Sequence, residues 1–331
     1  MAAGDGGSAM TPLRHAVEQY VSLRRGLGFH LGIQAGILRR FAKFAAQQKA
    51  PVLTTELALR WVGGMTDVLP ATAARSLSVV RGFAAWWQTA DPRTEVPPQR
   101  LMPGRHRWHA PFLHSGEQIR RLLLAAGRLE STNGVRGLTY STLFGLIAVA
   151  GLRISEAVKL DGADVDLDHG VLTIRATKFG KTRLVPLHPS TTSALARYAA
   201  RRDAAVTRVR SPAFFLSEQG RRVTDWSTRY NFALVSQQVG DRPSQRDAVG
   251  RARYRHGRGP RLHDLRHRFA AETLLAWYRA GADVERELPK LSTYLGHVKL
   301  EHTYWYIEAV PELLRLASGR IVGHQDAEAR R

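Results

Sequence analysis

The sequence predicts a mainly α-helical protein with one small β-hairpin, arranged as an N-terminal helical bundle followed by a larger C-terminal α+β domain. Three observations carry that prediction. Apolar residues recur at three- and four-residue spacing through most of the chain, the period of a helix with one buried face. Alternation replaces that period in two neighbouring stretches, Val171 to Thr177 and Thr182 to Leu187, as expected of paired strands. Five prolines, Pro92, Pro97, Pro98, Pro103 and Pro111, crowd one segment between the two parts, where no helix can run on. At 331 residues and 44% hydrophobic content, the chain is long enough to bury two cores.

Taken in order, residues 1–10 are Gly-rich and are expected to be disordered. Residues 11–91 read as a bundle of four helices, over 11–25, 32–48, 54–65 and 70–88. Gly26, Gly28 and Pro51 punctuate them, and Thr11 and Thr54 are placed as N-caps. Residues 92–113 form a Pro-rich linker that carries Arg100, Arg105 and Arg107. The second domain spans 114–318 and opens with Ser115 as the N-cap of a helix whose apolar face is Ile119, Leu122 and Leu123. The segment 138–152 is apolar on every side, so it is expected to be a buried helix. A short helix over 153–160 precedes the hairpin, whose turn lies near Phe179 and Gly180. Residues 211–217 suggest one more short strand, and 237–261 a basic loop of low apolar content. Residues 319–331 are left as a C-terminal tail.

The charge balance narrows the function. Lys and Arg number 49 against 28 Asp and Glu, a formal net charge of +21, and the excess is interleaved with apolar residues along the chain. Such a field on folded domains favours a polyanion, of which nucleic acid is the commonest. The absence of cysteine excludes disulfides, thiolate nucleophiles and cysteine metal sites. The 13 histidines show no metal-ligand spacing, no apolar run reaches the length of a membrane span, and the start is unlike a signal peptide. A cytoplasmic protein is the expectation, without metal or cofactor.

Two nearby segments, 261–270 and 291–307, bring together groups suited to phosphate chemistry. His263 and Arg266 are three residues apart, so a helix projects an imidazole and a guanidinium from one face. His297 follows a Leu-Gly turn, and Tyr306 follows nine residues later with no strong sequence reason to belong to a core. Arg153 stands at the start of a helix with Glu156 three residues on, a pattern that also fits an exposed ion pair. Lys178 sits at the hairpin turn, where lysines are commonly solvated. Taken alone, the 261–270 segment also fits an amphipathic helix with a basic outer face. His297 fits a helix C-terminus, and Tyr304, Trp305 and Tyr306 fit packing aromatics.

As a set, in this order, these residues resemble the tyrosine recombinases, the phage-integrase-type site-specific recombinases. In that family an arginine lies in a segment like Gly151–Glu156 and a lysine on a β-hairpin. An H-x-x-R helix, a Leu-Gly-His turn and a tyrosine about nine residues later complete the pattern. The resemblance assigns the catalytic set as Arg153, Lys178, His263, Arg266, His297 and Tyr306. Thr303, three residues before Tyr306, matches the family's T-x-x-Y run, while Tyr304 is the rival nucleophile and Lys181 the rival lysine. It covers nearly the whole chain, and it makes the N-terminal bundle a core-DNA-binding domain and the C-terminal domain catalytic. The loop at 237–261 is longer and more basic than in compact members.

The resemblance also implies a mechanism. Tyr306 attacks a phosphodiester to form a 3′-phosphotyrosyl link without ATP or metal, Arg153 and Arg266 clamp the non-bridging oxygens, and His297 adds a donor. Lys178 is the general acid, His263 the nearest base, and Glu156 orients the basic cluster. Arg81, Arg100, Arg105, Arg107, Arg251 and Arg253 are the candidate DNA contacts. The implied partner is a double-stranded recombination site held by a homotetramer through a Holliday junction, with room for a partner recombinase or accessory protein. A nucleoid-associated location follows. The C-terminal segment with Leu313, Leu314, Leu316, Ile321 and Val322 either packs on its own domain or is donated to a neighbour. A type IB topoisomerase, a DNA-binding regulator without catalysis and an RNA-binding basic protein are the competing readings, the last without an RNP-like aromatic motif.

Overall fold

The computed structural model describes residues 12–66, 68–103, 111–175, 182–242 and 259–328, with side chains as far as residue 319. The chain divides into two compact units, Met1–Trp108 and His109–Arg331. The predicted caps and contacts at Thr11, Lys178, Phe179, Gly180, Lys181, Arg105, Arg107, Arg251 and Arg253 lie outside the described residues.

In the first unit α1 (Pro12–Gly26), α2 (Gly32–Gln47), α3 (Thr55–Gly63) and α4 (Pro70–Trp87) follow the predicted helices closely. Their apolar stripes meet in one core that includes Val17, Leu38, Phe41, Leu77, Val80 and Phe83. Thr54 caps α3 as the sequence predicts, its Oγ1 accepting from the Leu57 N–H at 3.1 Å. The first part of the predicted linker is tied to this unit. Gln88 Nε2 donates to the Thr94 carbonyl at 2.8 Å, Arg81 Nε donates to the Pro97 carbonyl at 3.0 Å, and Val96 and Met102 pack on the core. Prolines rule out a helix here, but they do not prevent an extended segment from docking.

The second unit begins with α5 (Gly116–Gly127), capped by the reciprocal Ser115 and Gln118 bonds. It packs against α6 (Val135–Ala150), the buried helix that the sequence predicts. The two approach so closely that a Cβ on Gly137 would overlap the Gly127 carbonyl. After α7 (Ile154–Lys159) comes a three-stranded antiparallel sheet in the order β1 (Val165–Asp166), β2 (Val171–Ile174), β3 (Arg183–Pro186). The expected alternation places Leu172 opposite Val185, both fully buried. The predicted strand at 211–217 is not one. Phe214 and Phe215 are buried, but the segment makes only isolated bridges, Asp161 with Ala213 and Leu216 with Arg222.

The remaining elements are helical: α8 (Pro189–Ala205), α9 (Asp225–Gln238), α10 (Leu262–Arg279), α11 (Val284–Leu295), α12 (Glu301–Ala309) and α13 (Pro311–Glu328). One core gathers α6 with the sheet and parts of α8 and α9, and ends at Leu265 of α10. A second joins Ala271 and Leu274 of α10 to Leu288, Leu291 and Leu295 of α11, and takes in Tyr306 and Leu313. α10 therefore bridges two cores, and the residues near its start sit at their junction. α13 buries Leu313 and half-buries Leu316 on its own domain, leaves Leu314 half exposed, and stays helical through most of the predicted tail. No described helix is long and apolar enough to cross a membrane.

Candidate active site

The site is assembled around the C-terminal end of α11. The last carbonyls of any helix lack intrahelical partners and carry its partial negative charge. Here three consecutive ones each receive an arginine. Arg183 Nε donates to the Tyr294 carbonyl at 2.8 Å, Arg266 Nη2 to Leu295 at 2.8 Å, and Arg153 Nη2 to Gly296 at 2.9 Å. Three guanidinia from β3, α10 and the start of α7 thus converge on one turn. Gly296 then takes a left-handed conformation, φ 68°, which ends the helix and delivers His297 to the cluster.

Glu156 neutralises part of this charge. Its Oε1 accepts from Arg153 Nη1 at 2.8 Å and from Arg183 Nη1 at 3.1 Å, and its Oε2 accepts from Arg183 Nη2 and from the Arg153 backbone N–H, both at 2.9 Å. Burial acts to raise this carboxyl, but the Arg183 and Arg153 bonds overcome it and bring it down to about 2. These contacts tie Arg153 and Arg183 to one carboxylate. Arg153 is not the exposed surface pair that its local sequence also permits, because its second tie crosses to α11.

Arg266 is 1% exposed, the reverse of a basic outer face. Its Nη1 donates to the Gly151 carbonyl at 2.6 Å, so the buried guanidinium is held by two backbone oxygens. Burial and then Arg153 lower it to about 10. His263 keeps a solvent-exposed edge. The protein packed around its ring, with Arg266, Arg261 and Arg153, still pushes it down to about 4. His297 is brought to about 3 by burial and then by Arg266 and Arg153, and its Nδ1 lies 2.8 Å from Thr303 Oγ1. Both imidazoles are neutral at pH 7.

Tyr306 is 2% exposed and part of the second core, contrary to the expectation that it had no reason to be there. Its ring stacks on His297, with centroids 6.4 Å apart and planes at 15°. Thr303 and Tyr306 share one face of α12, which explains the T-x-x-Y spacing: one fastens the imidazole and the other lies against it. Burial raises the phenol, with Arg266 and Arg153 acting against that rise. Tyr304 is 43% exposed and makes no side-chain hydrogen bond among the described residues.

The structure corrects one predicted contact and adds residues that the sequence reading missed. His263 does not bond Tyr306 among the described residues; its ring packs edge-on against His267 at 4.5 Å, and it is His267 Nδ1 that lies 3.2 Å from the Tyr306 hydroxyl. The signal was available, since His267 follows His263 by one helical turn on the same face. Arg183 carried no such signal, because alternation assigns it only to a strand.

Two further surfaces are basic. On α9, Trp226 is 74% exposed and stacks on Tyr230 at 5.5 Å and 16°, beside a cleft of about 460 Å³ lined by Arg229, Arg242 and Arg261. In the first unit a groove of about 790 Å³ is lined by Arg75, Arg81 and Arg100 over Leu77 and Met102. Two of the predicted DNA contacts, Arg81 and Arg100, therefore share one groove. Among the described residues no group of His, Asp and Glu is arranged to hold a metal ion.

Comparison with known proteins places this arrangement. The model of the phage integrase family matches residues 115–312. The integrase/recombinase y4rB of Sinorhizobium fredii is 44% identical over 316 residues, 94% of this chain and 98% of its own. Tyrosine recombinase XerD of Caulobacter vibrioides is 30% identical over 254 residues, 76% of this chain and 75% of that protein. Among solved structures, the XerH site-specific recombinase in a post-cleavage complex with palindromic difH substrate has a TM-score of 0.60 at 20% identity, covering 91% of this chain and 83% of that one. Fold and sequence agree on the class, a DNA strand-breaking and rejoining enzyme of the tyrosine recombinase type. The chain belongs to the phage integrase family and is a site-specific recombinase.

Proposed function

We propose that this recombinase cuts duplex DNA by attack of the Tyr306 phenol on one phosphodiester of a recombination site, forming a 3′-phosphotyrosyl link and freeing a 5′-hydroxyl. The observation that carries the assignment is the position of the Tyr306 hydroxyl, 3.2 Å from His267 Nδ1 and beside the Arg266 guanidinium, in the cluster that holds Arg153 and His297. Covalent attachment conserves the phosphodiester energy, so rejoining needs no nucleotide. Arg153 and Arg266 hold the non-bridging oxygens as charge grows on them, each worth about 3 kcal/mol by analogy with one oxyanion donor. His297 adds a neutral donor. Lys178 is assigned by resemblance to protonate the leaving 5′ oxygen.

The partner proposed is a double-stranded recombination site. The net charge of +21, the guanidinium groove on α4 and the aromatic and arginine cleft on α9 support it, and the XerH structure is itself a complex with its difH substrate. Strand exchange between two duplexes through a Holliday junction calls for four protomers, and action on the chromosome for a nucleoid-associated location.

The test uses a nicked suicide duplex made from the DNA flanking the gene, with the product followed on denaturing gels. Wild type and Tyr304→Phe are expected to form a protease-sensitive covalent adduct, and Tyr306→Phe none. An adduct that survives in Tyr306→Phe and is lost in Tyr304→Phe would transfer the nucleophile to Tyr304.

A further inference from the structure

We propose that His267 is the catalytic group that takes the phenol proton of Tyr306 during strand cleavage, the part assigned by resemblance to His263. This rests on Tyr306 being the nucleophile.

The geometry divides the two histidines. His263 is exposed, whereas His267, one turn further along α10, is half-buried. The His267 ring is enclosed by His263, Trp305 and Tyr306, with centroids at 4.5, 5.1 and 5.5 Å. Its Nδ1 is directed at the phenol at 3.2 Å, within reach for proton transfer. A neutral imidazole with its proton on Nε2 presents Nδ1 as an acceptor, which the phenol O–H fills.

The charged and titratable groups facing His267 are Arg261, His263 and Arg266 from α10 and its cap, Tyr306 from α12, and His297 after α11. Burial first, then His263, Arg261 and Arg266, hold it down to about 3 in the free protein, so it is unprotonated and ready to accept. A phosphodiester anion drawn to Arg266 offsets that positive field, and His267 becomes more basic as the substrate arrives. Proton acceptance is thereby coupled to occupation of the site.

The step balances. The Tyr306 O–H bond breaks as the Oη–P bond forms and the P–O5′ bond breaks. The phenol proton passes to His267 Nδ1, and O5′ leaves with a proton from the separate acid assigned to Lys178. In rejoining, the 5′-hydroxyl attacks phosphorus, its proton returns to the lysine, and His267 gives its proton back to the departing phenolate.

Adduct formation by the full chain on the same suicide duplex is measured in single turnover from about pH 6 to about pH 9 for wild type, His267→Ala, His267→Asn and Tyr306→Phe. Wild type is expected to be nearly flat across this range. His267→Ala is expected to fall about 100-fold near neutrality and to recover by about tenfold per pH unit as solvent takes over the proton, with duplex affinity unchanged. His267→Asn, which keeps a hydrogen-bonding group near Nδ1 but no base, should fold like wild type and show the same rising profile. A deficit equal at every pH, an unimpaired His267→Ala, or a fully active His267→Asn would overturn the proposal. An adduct from Tyr306→Phe, or none from wild type, would instead remove the nucleophile assignment beneath it.

Discussion

Glu156 shows how one carboxylate can organise a basic site. It is 8% exposed and holds two guanidinia, Arg153 and Arg183, so its ionised form is bound far more strongly in the folded state than in the unfolded chain. A carboxyl lowered from 4.5 to about 2 contributes stability that is fully present above the unfolded value and is lost as pH falls through the folded one. The displacement corresponds to about 3 kcal/mol. Glu156→Gln, uncharged at every pH, is expected to lose about that much at pH 7 by urea denaturation. Its deficit relative to wild type should shrink as pH falls from about 4.5 toward about 2. A constant gap across that interval would mean that the carboxylate's charge is not what holds the arginines. Arg183 was hard to read in the sequence for the same reason: its importance lies in a partner 27 positions away.

At the scale of elements, α11 does more than its amphipathic pattern announces. Its apolar face, Leu288, Leu291 and Leu295, anchors it in the second core, and its carbonyl end serves as the common acceptor for three arginines. Gly296 makes this possible by leaving space as well as by its backbone. A Cβ there would stand 2.8 Å from Arg183 Nη1 and 3.4 Å from Arg153 Nη1, on a residue with φ 68°. Gly296→Ala is expected to cost about 1–2 kcal/mol from the left-handed backbone alone, read as a lower melting temperature. Its loss of adduct formation should be disproportionate, because the Arg183 guanidinium has to move. An alanine variant that cleaves at the wild-type rate would detach that turn from the chemistry. The helices themselves were legible because each buries one continuous stripe. The strand expected at 211–217 was not, because buried Phe214 and Phe215 give the same apolar run in an irregular segment as in a strand.

Across the whole molecule, Lys and Arg outnumber Asp and Glu by 49 to 28. With a net charge of +21, duplex binding should weaken steeply with salt, and each phosphate contact removed should lower the slope of log affinity against log salt by about 1. Arg100→Ala, in the groove shared with Arg75 and Arg81, is expected to show that reduction by fluorescence anisotropy on unrelated and flanking duplexes alike. An unchanged slope would remove this groove from the DNA interface. Composition, helical period, the hairpin alternation and the spacing of the Arg, His, Arg, His and Tyr groups were set by local sequence. So were the class of fold, the family resemblance and most of the candidate site, because each depends on residues a few positions apart. The tertiary structure alone decided that Tyr306 is buried, that His267 rather than His263 touches it, and that the last turn of α11 gathers Arg153, Arg183 and Arg266. Those contacts join residues from separate elements, and no local periodicity encodes which side chains two packed helices will bring within hydrogen-bond distance.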